Sequence, residues 1–185
     1  MAEGARRVRF DLLKILLVDD NPHMRLLLIE ILRAVGVRQV YEAVDGTEAL
    51  AILRKVAVDV VFTDLSMKGL DGIEFVNLVR RSPDSPNPFC PIVMITGHST
   101  ERRVHEARDA GVNEFLAKPV TARGVVHRLG LLIENPRAFV RSQAYVGPDR
   151  RRRDDARYQG DRRRDDDRGV TYVDVFQSPK HTPRA

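Results

Sequence analysis

Apolar and polar positions alternate along residues 13–135 in two rhythms. Short apolar runs at residues 14–18, 40–44, 58–63, 91–95 and 114–117 have the length of strands, and the segments between them repeat apolar residues every three or four positions. Strands alternating with amphipathic helices predict strand–crossover–helix units wound on a parallel sheet. The first helix carries Met24, Leu27, Leu28, Ile31 and Val35 at helical spacing, with Asn21 as its cap, Pro22 in its first turn and Gly36 as its stop. Asp45-Gly46 turns the chain into a second helix, with Ala49, Leu50 and Leu53 on one face. Gly69 and Gly72 open a third, with Ile73, Val76 and Val79, and it stops before Ser82-Pro83-Asp84-Ser85-Pro86, a loop by its prolines. The fourth, residues 100–110, is apolar mainly at Val104, Ala107 and Ala110 and reads as thinly anchored. The fifth, residues 121–134, carries Val125, Val126, Leu129, Leu132 and Ile133, and Gly130 weakens it by about 1 kcal/mol relative to Ala. Right-handed crossovers leave five strands and five helices few ways to wind.

Four of the runs end on reactive residues: 14–18 on Asp19 and Asp20, 58–63 on Asp64, 91–95 on Thr96, and 114–117 on Lys118. In an open α/β sheet, ligands bind beyond the carboxyl ends of the strands. If each run is a strand of one sheet, three carboxylates, a hydroxyl and an ammonium meet there. Carboxylate oxygens are hard ligands that suit Mg²⁺, which binds few protein groups and fills its octahedron with water and phosphate oxygens. The pattern is that of a phosphoryl-accepting site. Taken singly, each residue has a plainer reading: an Asp after a strand is often a turn or helix cap, Thr96 can simply end a strand, and Lys118 can simply be solvated. Their joint occurrence favours the site.

At 185 residues the chain has room for one ordinary domain and a modest extension. No apolar stretch reaches the roughly 18 residues of a bilayer span, and residues 1–10 lack the apolar core of a signal peptide. Lone Cys90 fits a reducing cytoplasm and reads as a small residue opening a buried strand. His23, His98, His105, His127 and His181 have no metal-binding spacing. The net charge of +5 sits wholly in residues 137–185, which hold 13 Lys/Arg against 8 Asp, while residues 1–136 are neutral. Residues 146–169 are almost entirely Arg, Asp and Gly, a composition expected to stay disordered by itself. A degenerate repeat begins at Tyr145 and again at Tyr158. The stretch 170–176, with Val170, Tyr172 and Asp174 alternating, reads as an edge strand or a docking peptide. Interleaved Asp lowers the local charge of the Arg runs and argues against tight nucleic acid binding.

Val18-Asp19-Asp20-Asn21, Phe62-Thr63-Asp64-Leu65-Ser66-Met67, Ile95-Thr96-Gly97 and Ala117-Lys118-Pro119 resemble, in order and interval, the receiver domain of two-component response regulators, chemotaxis receivers included. The resemblance covers about residues 13–136. It implies the flavodoxin-like strand order 2-1-3-4-5, with residues 1–12 as an extension and 137–185 as a mostly disordered Arg/Asp-rich tail. It implies that Asp64 takes a phosphoryl group from a histidine kinase or phosphotransfer protein. Asp19, Asp20, Asp64 and the backbone carbonyl of Ser66 would hold Mg²⁺, Lys118 would balance charge, and Thr96 would draw its loop toward the phosphoryl group. Phe115 falls at the family's aromatic switch position, where plain core packing is an even alternative, and Lys118-Pro119 at its cis peptide. Ser66 and His98 fall at variable positions beside the site. Lys68 departs from the pattern, since the family often has Pro there, and this loosens the loop without touching a charge-bearing position.

The resulting expectation is a stand-alone cytoplasmic receiver, not an enzyme. Its output would run through downstream protein partners at the fourth helix, fifth strand and fifth helix, near Arg102, Arg103 and Phe115, and phosphorylation-dependent dimerisation is left open. Two rivals stand beside it. A Mg²⁺-dependent phosphohydrolase of the aspartyl-phosphate type would show Asp-x-Asp spacing, which Asp19-Asp20-Asn21 and Asp64-Leu65-Ser66 break. A nucleic-acid-binding regulator would work through the Arg-rich tail.

Overall fold

The computed structural model describes residues 9–97, 100–142, 145–149 and 171–173. After a short 3₁₀ turn at Phe10–Leu12, β1 (Lys14–Val18), α1 (Pro22–Ala34), β2 (Gln39–Ala43), α2 (Gly46–Lys55), β3 (Val60–Asp64), α3 (Gly72–Arg81), β4 (Ile92–Thr96), α4 (Glu101–Ala110), β5 (Glu114–Ala117) and α5 (Ala122–Glu134) follow in the expected alternation. The sheet runs β2-β1-β3-β4-β5, and all four pairings are parallel. This is the flavodoxin-like order implied by the resemblance. No described helix is long and apolar enough to cross a membrane.

The period-two alternation of the central strands sorts the core into two layers. Ile15, Leu17, Phe62, Val93 and Ile95 pack with Leu28 and Leu32 of α1 and Val125 and Leu129 of α5. Leu16, Val18, Val61, Ile92 and Met94 face the other way, onto Leu53 of α2, Phe75, Val76 and Val79 of α3, and Ala107 of α4. Every residue of β3 and β4 is buried, as strands covered on both faces must be. Helix starts follow their caps. Asn21 accepts the N–H groups of His23 and Met24, and Asp71 and Glu74 form a reciprocal capping box at α3. As its composition predicted, α4 buries only Ala107 and Ala110.

Strand boundaries differ from the apolar pattern in places, and β2 lies one residue earlier than the run 40–44. The third strand begins at Val60 because Asp59 does not continue it. Its carboxylate instead accepts the Lys14 N–H at 2.9 Å, while its own N–H donates to the Lys14 carbonyl at 2.8 Å. Asp64 and Thr96 are the last residues of their strands and do not stand just beyond them.

A larger difference follows α5. Residues 137–149 were expected to begin a structureless tail, yet β6 (Phe139–Arg141) and β7 (Val146–Pro148) form an antiparallel hairpin. The edge strand expected near Tyr172 is β8 (Thr171–Val173), paired antiparallel with the other side of β6. The reason is local. Phe139 is 1 % exposed, meets Phe89 edge-on at 5.7 Å between ring centroids, and lies 5.0 Å from the Arg80 guanidinium. One aromatic anchor thus supplies apolar burial that the Arg/Asp runs lack. The hairpin closes over Gly111, whose φ of +106° is open to glycine, and Tyr145 bonds the Pro148 carbonyl at 2.9 Å. The expected disorder of residues 150–170 and 174–185 lies outside the described residues.

Candidate functional site

The carboxyl ends of β1, β3, β4 and β5 bring Asp19, Asp64, Thr96 and Lys118 to one end of the sheet, because parallel strands in register finish together. Asp19 follows β1 and is 1 % exposed. One of its carboxylate oxygens, Oδ1, accepts the Asn21 N–H at 2.8 Å, while Oδ2 is buried without a hydrogen-bond partner among the described residues. The Asp19 carbonyl accepts a 2.7 Å bond from Arg25, whose guanidinium also pairs with Glu42. Asp64 closes β3, with Oδ1 2.6 Å from Lys118 Nζ and Oδ2 accepting the Ser66 N–H at 3.2 Å. The same ammonium stands 4.0 Å from the orphaned Asp19 Oδ2.

Lys118 is set by its backbone as well as its charge. Its N–H donates to the Thr96 carbonyl at 2.7 Å, and the peptide to Pro119 is cis. Thr96 itself is buried at the end of β4. Asp20 is exposed and accepts the Lys68 N–H at 3.2 Å, so the residue that departs from the family pattern still serves the site through its backbone. Ser66 is exposed beside Asp64, and Phe115 is half-buried against the α2–α4 layer of the core. His98 lies outside the described residues. Glycine at 72 is required by close approach, since a Cβ there would stand 2.2 Å from the Asp64 carbonyl oxygen.

Burial is the main force on Asp19 and lifts its carboxyl above the usual range. The Asn21 N–H pulls the other way, Asp64 raises it again, and Lys118 opposes. A buried, part-orphaned carboxylate beside a second one is unstable unless a cation joins them. Among the described residues no three His, Cys, Asp or Glu side chains form a ready-made cage, and the cation in place is Lys118. That donor set fits Mg²⁺, which takes one or two carboxylates and keeps its waters, and the unpartnered Asp19 oxygen is the observation that favours it.

Sequence reading missed Arg25 and the ion pair between Arg103 of α4 and Asp71 at 2.9 Å. Arg25 follows Asp19 by six residues in the first two turns of α1, and only the folded turn between them makes the contact. Arg103 and Asp71 are 32 residues apart, with no motif to link them. A concavity of about 710 Å³ at the start of α5, walled by residues from Thr121 to His127, includes none of these side chains and no carboxylate. We therefore assign the site by its chemistry.

Comparison with known proteins supplies the family. Residues 15–130 match the response regulator receiver domain. The chain is similar to chemotaxis protein CheY-3 of Vibrio cholerae, 37% identical over 122 residues that span 66% of this chain and 92% of that protein. Among solved structures it resembles CheY4 of Vibrio cholerae, at 32% identity and a TM-score of 0.60, covering 65% of this chain and 98% of that one. It also resembles the receiver domain of the sensor histidine kinase PA1611 from Pseudomonas aeruginosa, at 27% identity and a TM-score of 0.60 over 66% and 98% of the two chains. That domain was solved with a magnesium ion coordinated in its active-site cleft. Sheet order, strand-end chemistry and the match over residues 15–130 lead to one conclusion: the chain belongs to the response regulator receiver family of two-component signalling, whose work is phosphorylation-based.

Proposed function

We propose that this chain is a response regulator receiver that accepts a phosphoryl group on Asp64 from a phosphohistidine of a histidine kinase or phosphotransfer protein. The observation that carries the reading is the Lys118 ammonium, 2.6 Å from Asp64 and 4.0 Å from the orphaned oxygen of Asp19. An Asp64 carboxylate oxygen attacks phosphorus, the bond from phosphorus to the donor imidazole breaks, and the imidazole nitrogen takes a proton. Negative charge spreads over the transferring oxygens, so stabilisation comes from positioned positive groups and not from covalent help. Lys118 exchanges its bond to Asp64 for one to the phosphoryl group, and Thr96 supplies its hydroxyl from the neighbouring strand end. Asp19, Asp20, Asp64 and the Ser66 carbonyl would hold Mg²⁺. When bound there it offsets the repulsion among carboxylates and phosphoryl oxygens.

Phosphorylation then biases the loop after β4 and with it Phe115 and α4, and output follows through a downstream protein partner at α4, β5 and α5. The size of that shift is limited by how much better the phosphoryl group binds one state than the other. Incubation with acetyl phosphate and Mg²⁺ followed by intact-mass measurement tests the reading. Wild type is expected to gain one phosphate group and Asp64→Asn none. Equal labelling of the two proteins would remove Asp64 as the acceptor.

A further inference from the structure

At the far end of the sheet, where β4 and β5 begin, Arg80 carries a positive charge almost fully withdrawn from water, with 2 % of its surface exposed. Its Nε donates to the Gly111 carbonyl at 3.1 Å, Nη1 to the Pro88 and Cys90 carbonyls at 2.8 Å each, and Nη2 to Asn113 Oδ1 at 3.1 Å. The Phe139 ring covers its face. All of these partners are neutral, and among the described residues no carboxylate pairs with it. Burial lowers its pKa to about 10, so the guanidinium stays charged at neutral pH. Carbonyl dipoles can hold such a charge in place, but a buried cation is best compensated by an anion.

The opening beside it suits one. A cleft of about 580 Å³, within the range of small-molecule sites, lies between the loop after α3 and the β6–β7 hairpin. Arg80, Arg81, Ser82, Pro88, Arg141 and Tyr145 contribute to its wall. Arg81 and Arg141 are exposed, and neither forms an ion pair among the described residues. Asp84, the nearest acid along the loop, is exposed, and its N–H is bonded to the Ser82 hydroxyl. Guanidinium groups match phosphate oxygens in a planar, two-pronged way, while Pro88 adds an apolar surface to the same wall. One side of this wall, Arg141, Ser142, Tyr145 and Val146, lies outside the span 15–130 that matches the family, so the cleft depends on this chain's own extension.

We propose that this cleft binds a phosphate-bearing small molecule of mononucleotide size, at the opposite end of the sheet from Asp64 and independently of it. Titration calorimetry on the full chain in EDTA, with AMP as the probe and adenosine as the uncharged control, tests it. Saturable one-to-one binding of AMP but not adenosine is expected. An Arg81→Gln, Arg141→Gln double variant should weaken it at least about tenfold, as the loss of two charge-assisted bonds requires. Both substitutions are at exposed positions, so a thermal melt like that of wild type would show that the variant is folded, and Asp64→Asn should bind as wild type does. No saturable heat at millimolar AMP would overturn the proposal. So would equal affinity in the double variant, or binding that survives the double variant and disappears when the Arg-rich residues 150–168 are deleted.

Discussion

Asp19 places a carboxylate oxygen in the interior with no hydrogen-bond partner among the described residues, an arrangement that costs about 1–3 kcal/mol for a buried polar group left unsatisfied. Asp19→Asn is therefore expected to stabilise the metal-free protein by about 1 kcal/mol, or about 2–4 °C in melting temperature for a chain of this size. Added Mg²⁺ should raise the melting temperature of wild type and leave Asp19→Asn nearly unchanged. A melt of Asp19→Asn below that of wild type in EDTA would show that the carboxylate is already compensated. At this scale the acidic cluster was legible in the sequence, because its residues stand at or just beyond strand ends and strand ends can be read from apolar runs. Arg25 was not, since its bond to the Asp19 carbonyl depends on a turn whose shape no spacing encodes. Phe115 is half-buried, an exposure that fits core packing and the proposed switching equally, and a rotamer comparison with and without phosphoryl label would separate the two.

Between elements, one ion pair among the described residues joins α4 to the loop that leaves Asp64. Arg103 bonds Asp71 at 2.9 Å, and Asp71 also caps α3. Asn caps about as well as Asp, so Asp71→Asn keeps the cap and removes the charge pair. Each of Arg103→Gln and Asp71→Asn should cost about 0.5–1 kcal/mol, with the double variant costing little more than either alone. Additive losses would show that the two groups do not interact. Burial works against the Asp71 carboxylate, but the Glu74 N–H and Arg103 outweigh it and hold its carboxyl below the usual range. The sign follows from linkage: a depressed folded-state pKa means stability that is present above the ordinary carboxylate range and lost as pH falls through the depressed value. The stability gap between wild type and Asp71→Asn should therefore be flat near neutrality and close in acid. Helix positions were readable from caps and stripes. The tie between α4 and the loop was not, because long-range ion pairs leave no periodic trace, and α4 itself buries too little to predict where it leans.

For the molecule as a whole, the extension after α5 is where composition misled. The Arg and Asp runs dominate the average over residues 137–185, and a single Phe139 decides what the first part does. Phe139→Ala should cost about 3–5 kcal/mol, the usual range for a fully buried aromatic, and uncover the Arg80 guanidinium. A denaturation midpoint unchanged from wild type would mean that the hairpin contributes nothing to the fold. The five-stranded order was legible because parallel strands with right-handed crossovers admit few topologies and the strand-end residues choose among them. Polarity along the strands has a practical corollary. Asp64 stands where strands finish, whereas the hairpin packs over Gly111, and Arg137 just before it bonds the Asn113 carbonyl, near where β5 begins. The receiver can therefore be held by its back and still offer an unobstructed mouth to whichever donor approaches.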